Sequence, residues 1–279
     1  VHITHPETKR LERVDVHHGM EGRETSSWQL LRPNQSYDAA MRVVISLGGS
    51  VLAPELDPDR VDAHAAVIES LANEGCELGI VVGGGGVARD YIGAARELGA
   101  NEVQLDQIGI DVTRINARLL ISALGSGVRP TPALDYDQAG ESLRRGDVTV
   151  MGGVMPGQTT DAVAAAFAEY IDADLLVYAT GANGVYDSDP ATNPDAEQFE
   201  TMSPEDLVNV IVPMSRGAGA SAPVDLLAAK LIERSGMRSI VLDGNDPDRV
   251  KSAVLNGEHT GTDIVPAGSD EPTYWAQSE

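Results

Sequence analysis

From Val43 onward, short apolar runs alternate with amphipathic stretches, and three of those runs end in a glycine-rich turn. Strands buried on both faces read as apolar runs and crossover helices read as stripes, so the pattern is that of an α/β protein whose mostly parallel sheet is covered by helices. The turns are Gly48-Gly49-Ser50, Gly83-Gly84-Gly85-Gly86, and Gly152-Gly153 running on to Pro156-Gly157-Gln158-Thr159-Thr160. Glycine lets the backbone approach a phosphate and aim successive N–H groups at it, and a following helix adds the positive end of its dipole. One such turn is explained equally well by steric need alone. Three in one sheet point to a phosphate-bearing ligand.

Strands are expected near Val43 to Leu47, Leu78 to Val82, Val148 to Met151, Asp174 to Ala179, Ser239 to Leu242 and Thr262 to Val265. Asp57 as N-cap and Pro58 at the first helical position start a helix whose apolar stripe is Val61, Ala65, Ile68 and Ala72, with Asp62, Glu69 and Asn73 facing water. A second helix, from about Asp106 to Leu124, is expected to bury Ile108, Val112, Ile115 and Leu119, with Asp111 and Arg114 on its other side. After Thr159 the stretch Ala162 to Ala168 is apolar all round, which predicts a central, sandwiched helix with its N-terminus pointing into the molecule.

The second glycine turn also fits G-x-G-x-x-A through Gly83, Gly85 and Ala88, the fingerprint of dinucleotide binding. That reading wants an acidic residue ending the next strand about 20 residues on. Asp106 has the distance but starts a helix, and the other two turns stay unexplained. No G-x-x-x-x-G-K-[ST] sequence occurs, so the phosphates are not held by a Walker loop.

Acidic residues number 43 against 20 basic ones, a net charge of -23, which argues against a nucleic-acid partner because such partners select a basic footprint. With only three lysines (Lys9, Lys230, Lys251), the composition reads as a surface adapted to high salt, where screening blunts self-repulsion. Cys76 is the single cysteine, which excludes an intramolecular disulfide and suits a small buried apolar role. No apolar run approaches the ~20 residues of a membrane span, and the first residues lack the apolar core of a signal peptide, so a cytoplasmic protein without membrane partners is expected. Residues 1–40 hold four of the six histidines without ligand spacing or periodicity and are expected to lie outside the fold, as a disordered tail or as sequence upstream of a true start at Met41.

Taken with Val82 to Arg89, Pro156 to Ala162 and Gly184-Val185-Tyr186-Asp187-Ser188-Asp189-Pro190, the turns resemble the archaeal UMP kinases of the amino acid kinase superfamily in order and spacing, over about Met41 to Pro266. The resemblance implies a three-layer αβα sandwich over 41–266, with an acceptor site in the N-terminal half, an ATP site in the C-terminal half, an acidic tail at 267–279, and assembly as a homohexamer. It implies ATP phosphates at Gly49, Ser50, Gly84 and Arg89, and the nucleoside side of that site at Thr180, Tyr186 and Asp189. It places UMP at Gly83, Asp106, Val154, Met155, Pro156, Gly157, Gln158, Thr159 and Thr160. UMP presents an anionic oxygen, so no general base is needed, and no protein metal cage either: Mg²⁺ would come with ATP.

One departure stands out: many superfamily members carry a lysine two residues before the first glycine pair, where this chain has Ser46. Arg89 and Lys230 are the candidates to supply that charge, with Asp161 orienting the cationic groups around the transferring phosphoryl. The bland readings are a surface Lys230 paired with Glu233, and an Asp161 that merely favours the helix dipole. Tyr186 and Asp189 can equally be a core aromatic and a turn starter. Isopentenyl phosphate kinases use a histidine near the acceptor phosphate, whereas His64 and His259 follow no glycine turn. An acetylglutamate kinase should offer an arginine to the substrate carboxylates, and Arg114 and Arg118 keep that reading open. A molybdenum-storage type of nucleotide-binding protein would need a histidine-rich cavity.

Overall fold

The computed structural model describes residues 40–190, 192–214 and 223–269. The expectations for residues 1–39 and for the tail beyond 269 lie outside them. In chain order the elements are β1 (Arg42–Leu47), α1 (Gly49–Leu52), α2 (Pro58–Asn73), β2 (Glu77–Val82), α3 (Gly85–Glu97), α4 (Glu102–Ala123), α5 (Tyr136–Arg144), β3 (Thr149–Met151), α6 (Thr160–Tyr170), β4 (Leu175–Thr180), β5 (Thr201–Met202), α7 (Pro204–Met214), α8 (Leu226–Ser235), β6 (Ser239–Asp243), α9 (Pro247–Asn256) and β7 (Thr262–Ile264).

The sheet runs β3-β2-β1-β4-β6-β7-β5. Its first five strands are mutually parallel, β7 is antiparallel to β6, and β5 pairs parallel with β7. Successive residues of β1 feed opposite cores: Val43, Ile45 and Leu47 pack with α2, α4 and α9, while Val44 packs with α5 to α8. That is the αβα sandwich that the resemblance implies. Strand order reverses between β1 and β4, and a sheet of this kind leaves its ligand crevice outside the carboxyl ends of the strands at that switch.

The six expected strands are all present. β5 was not foreseen, because a two-residue edge strand leaves no periodic trace. Helix α2 starts as expected, with Asp57 accepting from the Asp59 N–H and Pro58 in the first turn. Helix α4 departs from expectation: it begins at Glu102, where Asn101 and Gln104 form a reciprocal capping box. Its buried face is Leu105, Val112, Thr113, Asn116, Ala117 and Leu120, whereas Ile115 is 62% exposed and Ile108 and Leu119 are half-buried. The face is turned because α4 offers polar Thr113 and Asn116 to the glycine turns, a demand that hydrophobic periodicity does not register. Helix α6 is buried as predicted, between the sheet and α8, and the Phe167 ring lies on Gly79 where any Cβ would collide. Cys76 is half-buried rather than enclosed, and desolvation, with Glu74 nearby, pushes its thiol up to about 11.

Candidate active site

The first two glycine turns meet backbone to backbone at the carboxyl ends of β1 and β2. A Cβ on Gly85 would stand 2.6 Å from the Gly49 carbonyl carbon, and one on Gly83 would stand 2.7 Å from the Gly49 nitrogen. Gly85 also has φ +64, a region that L side chains avoid. The steric explanation for these glycines therefore holds at the contact itself, and the contact fixes the two turns as one surface. Gly49→Ala is expected to destabilise the protein by about 3 kcal/mol through backbone displacement, lowering the melting temperature by roughly 10 °C and abolishing nucleotide binding. Thermal denaturation and ATP titration of the variant would read this, and an unchanged melting temperature would contradict the contact.

Helix α4 holds these turns and the third one together. Asn116 Nδ2 donates to the carbonyls of Gly83 (2.9 Å) and Gly84 (3.2 Å). Thr113 Oγ1 accepts from the Gly153 N–H at 2.7 Å while donating to the Ile110 carbonyl. Arg114 donates to the carbonyls of Gly153 (3.2 Å) and Val154 (3.4 Å), and Asp106 Oδ2 accepts from the Gly157 N–H at 2.8 Å. Asp106 thus holds the loop from Val154 to Thr160. Gly157, at φ +83, supplies the reversal, and Met155 at its side is half exposed. Gln158 Oε1 is buried without a partner, and Thr159 caps α6 by accepting from the Ala162 N–H.

Across the first two turns, Arg89 Nη2 donates to Ser50 Oγ at 3.2 Å, so the structure brings these two expected phosphate contacts together, both at the surface. Behind them Ser46, 4% exposed, donates to Asp161 Oδ1 at 3.1 Å. Tyr178 Oη donates to the Asp161 carbonyl at 3.1 Å, and Thr159 Oγ1 donates to Asp225, the N-cap of α8. Desolvation, with Asp225 adding like-charge repulsion and Ser46 partly offsetting both, raises Asp161 to about 7.

Lys230 is not brought to this cluster. It projects from α8 half exposed and pairs with Glu233 at 2.8 Å, the surface arrangement of the plainer reading. Thr180 caps its own turn, Oγ1 accepting from the Ala182 N–H at 3.0 Å. Tyr186 Oη donates to Gln198 Oε1 at 3.3 Å, and the Asp189 carbonyl accepts from the N–H groups of Thr192 and Asn193. Thr113, Asn116, Tyr178 and Asp225 escaped sequence reasoning. A polar residue on the buried stripe of α4 is the signal that would have found the first two.

A mostly parallel αβα sandwich with glycine turns at the carboxyl ends of neighbouring strands β1, β2 and β3, held together by α4, defines a nucleotide-handling protein. The model of the amino acid kinase family matches residues 41–243. A uridylate kinase of Halorubrum lacusprofundi is 70% identical over 238 residues, 85% of this chain and 99% of the relative. A uridylate kinase of Halobacterium salinarum is 65% identical over 240 residues, 86% of this chain and 100% of that one. Among solved structures, the uridylate kinase from Archaeoglobus fulgidus superposes with TM-score 0.74 at 44% identity, covering 81% of this chain and all of that one. The UMP kinase from Bacillus anthracis gives TM-score 0.68 at 28% identity, covering 82% and 97%. The chain belongs to the amino acid kinase family, and within it to the haloarchaeal uridylate kinase type.

Proposed function

We infer that the protein transfers the terminal phosphoryl group of ATP in line to UMP, giving UDP and ADP. The observation that carries this reading is the meeting of the glycine turns, bridged by Arg89 and Ser50, beside an acceptor loop that Asp106 and Arg114 pin in place. Such a site aligns two anionic substrates and neutralises charge as it develops, which is most of what phosphoryl transfer asks of a protein.

The site roles form part of the proposal. Gly49, Ser50, Gly84 and Arg89 meet the ATP phosphates, while Thr180, Tyr186 and Asp189 line the nucleoside side. Gly83, Asp106 and the loop from Val154 to Thr160 hold UMP, where the unpartnered Gln158 Oε1 is an acceptor available to a ligand N–H. Arg89 takes over the charge that Ser46 does not supply, and Asp161 orients cationic groups from behind. The N-terminal half thus supplies the turns that meet the ATP phosphates beside the acceptor site, and the C-terminal half supplies the nucleoside side of the ATP site. Mg²⁺ would arrive with the nucleotide and offset the charge of its phosphate oxygens, as this ion usually does in phosphoryl transfer.

Homohexamer assembly is supported by apolar side chains left exposed on and between α3 and α4: Tyr91 61%, Leu98 88%, Val103 63% and Ile115 62%. A cytoplasmic role in pyrimidine nucleotide synthesis accords with this reading, and no helix among the described residues is long and apolar enough to cross a membrane. Among the described residues, neither the isopentenyl phosphate nor the storage alternative gains support. His64 is buried against the Val51 backbone, and His259 sits by Gly261 and Asp263.

In molar KCl with Mg-ATP, ADP release is expected with UMP and not with CMP, AMP, isopentenyl phosphate or acetylglutamate. ATP binding without turnover on any acceptor would overturn the proposal.

A further inference from the structure

Helix α2 lies outside every glycine turn, yet two of its side chains converge on the first one. Arg60 Nη2 donates to the Val51 carbonyl at 3.5 Å, inside α1, and to Asn245 Oδ1 at 3.3 Å, in the turn between β6 and α9. His64, 3% exposed, is hydrogen-bonded to the same Val51 backbone. Burial, with the Arg60 charge beside it, lowers the His64 imidazole to about 4, so at ordinary pH the ring is neutral and Arg60 is the cation of this pair.

The far end of the bridge is itself tied to the nucleoside side. Gly244 N–H donates to the Thr180 carbonyl at 2.8 Å, and a Cβ on Gly244 would press on Ala179 and Val51. Asn245 is held in turn by Asp243 Oδ1, which accepts from its backbone N–H at 2.9 Å and from its Nδ2 at 2.7 Å. The guanidinium therefore spans from the first phosphate turn to the β6–α9 turn, which is itself hydrogen-bonded to the Thr180 carbonyl at the end of β4. It does so while Arg60 Nε and His64 Nε2 stay buried without partners, an arrangement that stability alone disfavours.

We propose that Arg60 is a positioning residue for ATP: by joining the Val51 carbonyl to Asn245 it sets the spacing between the first phosphate turn and the nucleoside-side loop. It touches no substrate. Its effect falls on ATP affinity, because the polyphosphate and the nucleoside must be gripped at one fixed separation, whereas UMP is held by the loop that α4 pins. The inference rests on the assignment of ATP to this half of the crevice.

The test measures the Mg-ATP dissociation constant by calorimetric titration for wild type, Arg60→Ala, Arg60→Lys, Asn245→Ala and the Arg60→Ala/Asn245→Ala double variant. Steady-state KM and kcat for both substrates are measured alongside. Arg60→Ala is expected to weaken ATP binding about tenfold, the weight of one charge-assisted hydrogen bond, with KM for UMP unchanged and kcat within about twofold. Arg60→Lys should recover part of the loss, and the double variant should be no weaker than the worse single one. Unchanged ATP affinity in both Arg60→Ala and Asn245→Ala would overturn the proposal, as would parallel rises in both KM values tracking a fall in melting temperature. Because titration needs no turnover, a wild-type protein that binds ATP but does not phosphorylate UMP would sink the functional reading and leave this inference standing or falling on its own data.

Discussion

Replacing Arg89 by alanine is expected to lower kcat about a thousandfold, the scale seen when one preorganised cationic or hydrogen-bonding group is removed from a developing anion. The fold should scarcely notice. Arg89 is exposed near the N-terminus of α3 and donates to Ser50 Oγ, so truncation should stay within about 0.5 kcal/mol in stability. The size of the kinetic effect follows from what surrounds the turns. Ser46, near the end of β1, brings no charge to the turns, and Lys230 is engaged with Glu233 at the surface. Arg89 is thus the guanidinium that the structure places on the joint between the first two turns. Lys230→Ala serves as the contrast, expected to change kcat by less than about twofold, since it removes one exposed pair worth only a few tenths of a kcal/mol. Turnover at the wild-type rate in a folded Arg89→Ala protein would remove Arg89 from the mechanism, and a collapse of turnover in Lys230→Ala would reinstate the lysine.

Much of this was legible in the sequence, and the reasons for the rest are physical. Apolar runs of β1, β2 and β4 announce themselves because both faces are buried, and α6 because it is apolar all round. The glycine turns were visible as a motif, but their reason was only half visible. Sequence suggested space for phosphate, whereas Gly49, Gly83 and Gly85 are required first by each other. Helix α4 was misread in its facing because periodicity counts apolar residues, while Thr113 and Asn116 are buried to satisfy turn carbonyls and N–H groups far away in sequence. Asp225 could not be found at all: it reaches Thr159 across 66 residues, and nothing local distinguishes it from any other helix N-cap.

Asp161→Asn should separate structure from chemistry in the same cluster. Asp161 is raised to about 7 from a usual 3.8, chiefly by desolvation and then by Asp225, so the folded protein keeps a proton there that the unfolded chain releases near pH 4. Between about pH 4 and pH 7 the folded state binds more protons than the unfolded one, and its stability falls as pH rises. Below that window both states are protonated and the carboxyl is neutral to folding. The shift corresponds to about 4 kcal/mol at most, and the residue keeps some accessible surface, so roughly 2–4 kcal/mol is expected. Asparagine carries no charge at any pH and can still accept from Ser46. The variant should therefore melt close to wild type near pH 4 and well above it at pH 8, with the difference opening through the window. Its activity should move the other way, falling about a hundredfold, because an amide cannot orient the cationic groups around the transferring phosphoryl as a carboxylate can. Wild-type kcat/KM should correspondingly rise with pH as the carboxylate forms. Thermal denaturation from pH 4 to pH 8 with parallel rate measurements decides the matter: a constant difference in melting temperature would show that Asp161 ionises normally, and an active Asn variant would confine it to a structural place in the first turn of α6.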